Sequence, residues 1–232
     1  MAANIETNFA ACIEKLPTAK DEYRLHEERV EAARRRSLLS SLHSQVGARY
    51  QSVTLDGFKV YGSADVQKRM QKAIKLATAF SVNMPEWREK NLLFFGTVGT
   101  GKDHLMIALA REIVLGHGIE VLYTTGGRLF RQLRSAISRR ESESDAFTRF
   151  VKAPILAISD PVPAIGGNSD YSASQLQEIV DERYRMRLGT WITANVEGRQ
   201  DGMEGFGVAV YDRLMQDAVT IDCNWPSYRT KS

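Results

Sequence analysis

Residues 96–104 read Gly96-Thr97-Val98-Gly99-Thr100-Gly101-Lys102-Asp103-His104. The glycines at 96 and 101, followed directly by Lys102, give the spacing G-x-x-x-x-G-K. That spacing suits an anion. Glycine lets backbone N–H groups approach phosphate oxygens with no Cβ in the way. A helix starting at the lysine adds the partial positive charge of its N-terminus, and Lys102 adds a full charge for β- and γ-phosphates. The flanks fit. Asn91-Leu92-Leu93-Phe94-Phe95 before the loop is a strand-like apolar run, and Leu105, Ile107, Ala108, Leu109 and Ile113 after it recur as in a helix. Gly96 to His104 is therefore expected to bind a nucleotide; a glycine loop kept for its shape alone is the plainer alternative.

The metal half of such a site departs from pattern. The position after the lysine ordinarily carries Ser or Thr, whose hydroxyl binds Mg²⁺; here it is Asp103. A second buried strand, Ile155 to Ile158, should end in an acidic pair, one acid for the metal and one to activate water. It ends in Ser159-Asp160 instead. Three readings stay open. Hydroxyl and carboxylate have exchanged places across the metal, both being oxygen ligands; or the metal site is damaged and hydrolysis is weak; or the register shifts and Asp160 is the metal ligand, with Pro161 leaving no base behind it.

The elements needed to position these residues recur along the chain. Residues 120–124, 154–159 and 190–195 read as further strands, and 63–80, 127–140 and 173–187 as helices. Alternation of buried strands with helices implies an α/β, doubly wound parallel sheet whose strand C-termini face the ligand. Gly166-Gly167-Asn168-Ser169 reads as a surface turn. Residues 18–46 read as one charged helix, acidic early (Asp21, Glu22) and basic late (Arg34, Arg35, Arg36), as the helix dipole favours. Its apolar positions are too sparse for a core of its own. It is an arm that packs on a partner, or one that lies on its own domain. The division expected is a helical arm over 1–49 and a nucleotide-binding domain over 50–232.

Composition narrows the class. The 232 residues are 43% hydrophobic and 25% charged, a globular balance. No apolar run approaches the roughly 20 residues that span a bilayer. Met1 to Pro17 lacks the pattern of a secretory signal. Cys12 and Cys223 are far apart and outside any metal-ligand spacing, which argues for a reducing cytoplasm.

From about residue 50 to 232 the chain resembles the DnaC/IstB group of AAA+ ATPases, and helicase loaders of the DnaC type within it. The resemblance rests on Asn91 to Gly96, on Gly99-Thr100-Gly101-Lys102-Asp103-His104-Leu105, and on Ile179-Val180 with Arg183-Tyr184. It continues through Thr193-Ala194-Asn195, Val210-Tyr211-Asp212-Arg213-Leu214 and Asn224-Trp225-Pro226-Ser227-Tyr228-Arg229. It implies ATP and Mg²⁺ as ligands. Asn195 becomes the polar residue that positions water or the γ-phosphate. Arg213 becomes an arginine finger acting on a neighbouring subunit, hence self-assembly, and Arg229 a second sensor. Loaders of this type also replace the loop Ser/Thr, which makes Asp103 less foreign. The stretch after Asn195 is too short for a separate helical lid. The plainer readings are a surface Arg213 paired with Asp212 and a turn asparagine at 195.

Arg128, Arg131 and Arg134 recur every third residue and share one helix face; Arg139 and Arg140 follow, while Leu129, Phe130, Leu133 and Ile137 occupy another face. Such a stripe suits phosphates along single-stranded DNA. A solvated face balanced by Glu141, Glu143 and Asp145 is the alternative. The function expected is a replicative helicase loader, whose partner by resemblance is the helicase hexamer. An IstB-like transposition ATPase on duplex DNA, or a nucleotide-gated adaptor that hydrolyses little, are the other readings.

Overall fold

The computed structural model of the chain describes residues 19–139, 143–162 and 169–230. The readings placed on Met1–Pro17, Cys12, Arg140, Glu141 and the Gly166-Gly167-Asn168 turn lie outside them. In chain order the elements are α1 (Ala19–Gln45), α2 (Ala64–Val82), α3 (Met84–Trp87), β1 (Leu92–Phe95), α4 (Lys102–His117), β2 (Val121–Thr125), α5 (Gly126–Arg139) and α6 (Glu143–Lys152). Then come β3 (Ile155–Ser159), α7 (Ser169–Arg185), β4 (Thr190–Ala194), α8 (Arg199–Phe206), α9 (Val208–Met215) and β5 (Val219–Asp222), and a 3₁₀ turn at Tyr228–Thr230.

The five strands form one sheet in the order β2-β3-β4-β1-β5, and every pair is parallel. Strands buried on both faces alternate their side chains between two cores. Leu92, Phe94, Ile155, Ala157 and Trp191 join Met70, Phe80, Leu105 and Ile113 on one side. Leu93, Leu156, Ile158 and Ile192 join Leu129, Leu133, Ile179 and Leu214 on the other. The expected doubly wound α/β sheet is thus present. No separate helical lid follows β5 among the described residues.

Several elements went unread in the sequence, among them β5, α8 and α9. β5 has one buried side chain, Ile221, because it is an edge strand with its other positions half-exposed or exposed. α8 and α9 were also unread as helices; α8 holds Gly202 and Gly205, which weaken any helical signal. Gly202 is glycine for a packing reason, since a Cβ there would overlap the Tyr211 ring.

Helix α1 has two regimes. Its first half exposes Tyr23, Leu25 and Val30 and is laced by intrahelical pairs such as Arg24–Asp21 and Arg24–Glu28. Its last turns lie on the domain. Leu42 is buried in the first core, as is Val46 just beyond the helix. Arg35 Nη1 donates to the Leu115 carbonyl at 2.9 Å, and the Tyr123 amide on edge strand β2 donates to Gln45 Oε1 at 2.6 Å. No helix among the described residues is long and apolar enough to cross a membrane.

Arg183, near the end of α7, has no exposed surface. Its Nη1 lies 3.0, 2.9 and 2.8 Å from the carbonyls of Phe150, Val151 and Ala153, where α6 ends. Nη2 donates to Gly189 O at 2.6 Å, and Nε to Thr190 Oγ1 at 3.0 Å. A guanidinium here satisfies the orphan carbonyls of a helix C-terminus and meets the negative end of its dipole.

Candidate nucleotide and metal site

β1 ends at Phe95 and α4 begins at Lys102, so the loop from 96 to 101 crosses the carboxyl edge of the sheet. Two of its glycines are required by neighbouring chain. At Gly96 (φ +142°) a Cβ would sit 2.5 Å from the Cys223 carbonyl carbon, and at Gly99 (φ +82°) it would overlap Ser227 Oγ. The segment after β5 therefore braces the loop. Trp225 is buried, and its Nε1 donates to Thr100 O at 3.0 Å. Thr97 Oγ1 donates to Trp225 O at 3.2 Å, and the Tyr228 amide donates to Gly99 O at 2.9 Å.

A cavity of about 460 Å³ opens against this loop. Gly99 to His104 line it, with Ser159, Asp160, Asn195 and Arg229. Residues scattered from 99 to 229 in sequence are thus brought to one place. The Lys102 ammonium is held by Gly96 O at 2.8 Å, Thr97 O at 2.6 Å and Asn195 Oδ1 at 2.9 Å. Burial pushes its pKa down, while Cys223, Asp103 and Asp160 push it up and Arg229 down. Burial also holds the His104 imidazole below its ordinary range; its Nε2 is 3.2 Å from Thr54 O and its ring meets Phe58 edge-on.

Asp103 lies in the first turn of α4, and its Oδ1 accepts from Thr193 Oγ1 at 2.7 Å. Ser159 is the last residue of β3 and is buried. Asp160 follows with φ +49°, and its amide donates to Thr193 O at 2.9 Å. Burial, then the neighbouring Asp103, raise the Asp160 carboxyl above its usual range, and Lys102 opposes them. The donor set facing the loop is two carboxylates and two hydroxyls, all hard oxygens, which fits Mg²⁺ rather than a nitrogen- or sulfur-seeking metal. No cluster of three or more His, Cys, Asp or Glu that could hold a metal occurs among the described residues. A divalent ion here would share its shell with phosphate oxygens, as Mg²⁺ commonly does.

Some expected residues lie elsewhere. Arg213, on α9, does not line the cavity. Its Nε pairs with Asp181 Oδ1 at 2.8 Å rather than with Asp212, and its Nη1 donates to Ala209 O at 2.9 Å. Arg128, Arg131 and Arg134 line a separate shallow groove with Gln132 and Ser135. Arg128 Nη1 donates to Gln45 O at 2.7 Å, and Arg134 lies over the Tyr171 ring. Leu129, Phe130 and Leu133 fill the opposite face.

Sequence reading missed several residues of the site. Arg49, Tyr50, Phe58, Tyr61 and Tyr228 form its aromatic and basic wall, with Tyr61 packed on Tyr228 and donating to Pro226 O at 2.6 Å. Tyr50 and Phe58 precede the first core helix, where no motif marks them. Thr193 stood in a noted segment but had no role.

The family described as IstB-like ATP binding protein matches residues 15–232. A replicative helicase loader DnaC of Buchnera aphidicola subsp. Schizaphis graminum is 24% identical over 236 residues, 99% of this chain and 91% of the relative. A putative insertion sequence ATP-binding protein of Sinorhizobium fredii is 30% identical over 147 residues, 61% of this chain and 47% of that one. Among solved structures, a crystal structure of the DnaC helicase loader superposes with a TM-score of 0.67 at 20% identity, over 76% of this chain and 99% of that one. The replication initiator DnaA bound to AMPPCP and single-stranded DNA gives 0.58 at 15% identity, over 76% and 50%.

Proposed function

The chain belongs to the family of IstB-like ATP binding proteins, and on that premise we propose that it acts in DNA replication as an ATP-controlled helicase loader. One observation carries the choice. Similarity to the helicase loader runs over 99% of the chain, α1 included, whereas similarity to the insertion-sequence protein covers 61%. In this reading residues 1–49 grip a replicative helicase in the cytoplasm, residues 50–232 bind ATP, and the exposed first half of α1 is the gripping surface. The test is transfer of the cognate hexameric helicase onto closed circular single-stranded DNA, which has no end to thread. Transfer that depends on this chain and on ATP is expected; helicase loading equally well without the chain sinks the reading.

The geometry supports a role for each residue of the site. Backbone amides of Gly96–His104 receive the phosphates, and Lys102 leaves its three acceptors to meet them. The aromatic wall stacks the base. Asp103 and Ser159 would hold Mg²⁺, which when bound would neutralise phosphate charge. Asn195 and Arg229 read the far phosphate, and Asp160 orients water. Arg213 exchanges Asp181 for the nucleotide of a neighbouring copy, so that ATP drives self-assembly.

Hydroxyl and carboxylate have exchanged sides of the metal in this reading. Asp103→Thr alone then lowers Mg²⁺-dependent turnover, and Asp103→Thr with Ser159→Asp restores it above either single variant. Steady-state phosphate release with and without Mg²⁺ decides. A double variant no better than the singles removes the exchange.

The arginine groove is read as a track for single-stranded DNA. Arg131→Ala with Arg134→Ala weakens binding and lowers the log–log salt slope by about 1.4, since each lost phosphate contact removes about 0.7. Fluorescence anisotropy on a labelled oligothymidine across a salt series measures it, and an unchanged slope rejects the groove.

A further inference from the structure

Thr193 is the polar residue in the central strand of the carboxyl edge. On β4 it lies opposite Ser159 of β3 on one side and Phe94 of β1 on the other. It is 2% exposed. Its hydroxyl donates to Asp103 Oδ1 at 2.7 Å, and its carbonyl accepts the Asp160 amide at 2.9 Å. One residue thus holds the Asp103 carboxylate through its side chain and the Asp160 backbone through its carbonyl. Tyr123, on β2 and also buried, completes the cluster: it pairs with Ala157, two residues before Ser159 on the same face of β3.

We propose that Thr193 is the positioning residue that lets Asp103 serve where a loop Ser or Thr would hold Mg²⁺, with Tyr123 doing the same for Ser159. This rests on the Mg²⁺–nucleotide reading of the cavity. A serine hydroxyl is set by one side-chain torsion, whereas an aspartate has two and a longer reach. An unheld carboxylate at the start of α4 swings, and its charge also repels the incoming phosphates. A hydrogen bond to Oδ1 fixes both torsions, spreads the charge, and leaves Oδ2 for the ion. Outer partners of this kind orient ligands and tune metal affinity by about 10- to 100-fold.

The test is binding of a fluorescent ATP analogue to the full chain, titrated with MgCl₂ and repeated in EDTA, for wild type, Thr193→Val, Thr193→Ser and Tyr123→Phe. Valine keeps the shape and removes the donor. It is expected to raise the Mg²⁺ midpoint about 10-fold or more, with affinity in EDTA unchanged. Serine is expected to restore the midpoint, and Tyr123→Phe to raise it by a smaller factor. A wild-type midpoint in Thr193→Val overturns the proposal, as does an equal loss of affinity with and without Mg²⁺, which marks a merely structural threonine. A wild-type chain that binds no nucleotide in either condition overturns the underlying reading, and this inference with it.

Discussion

Arg183→Met is expected to cost roughly 3–5 kcal/mol of folding stability, the range for removing one partner of a buried charged constellation. The five acceptors around Arg183 are buried with it, and three of them are carbonyls where α6 ends. Methionine fills the stem's volume and offers no donor. The carbonyls are then left without partners, at about 1–3 kcal/mol for each group that water cannot reach. Burial pushes the guanidinium down to about 9, so it is still charged at neutral pH, and the negative end of α6 receives that charge. For a domain of this size each kcal/mol is worth about 2–4 °C in the midpoint, which puts the expected fall near 10 °C. Arg183→Lys should fall between, since an ammonium has three donors and no planar fork. Thermal unfolding followed by far-UV circular dichroism measures all three proteins. A loss below about 1 kcal/mol in Arg183→Met would mean that α6 does not depend on this residue.

Lys102→Ala should weaken ATP binding by about 10- to 100-fold, the 1.5–3 kcal/mol expected of a charge-assisted hydrogen bond. The lysine is already desolvated beside the loop, so contact with phosphate costs little further desolvation. Lys102 and Asn195 line the open cavity, so water entering the vacated space can replace the ammonium on Gly96 O, Thr97 O and Asn195 Oδ1. Folding stability should therefore move by less than about 1 kcal/mol. Isothermal titration with ATP and a thermal melt of the same sample separate the two effects. An unchanged affinity would place the phosphates elsewhere than on this loop.

The fold was legible where both faces of a strand are buried. Leu92–Phe95 and Ile155–Ile158 are continuous apolar runs, and Thr190–Ala194 is buried throughout, because helices cover the sheet on both sides. β5 was not, because an edge strand needs only Ile221 to be apolar. The nucleotide loop was legible because its residues are consecutive. Its metal face was not fully legible. Asp103, Tyr123, Ser159 and Thr193 come from four elements, and no spacing in the sequence announces that parallel register will set Thr193 opposite Ser159. Gly96 and Gly99 were read as room for phosphate, yet the nearest claim on that room comes from Cys223 and Ser227. Arg183 looks like any arginine near the end of an amphipathic helix; only packing reveals it as a buried cap.

Family membership sets the fold and the nucleotide class, and the arm of residues 1–49 bears on the partner. The most direct measurement is co-elution of the full chain, with ATP and Mg²⁺, against the host's hexameric replicative helicase and against an insertion-sequence transposase. A stable complex with the helicase, abolished by truncation of the exposed half of α1, is expected, and none with the transposase. Co-elution with the transposase and not the helicase would contradict that expectation.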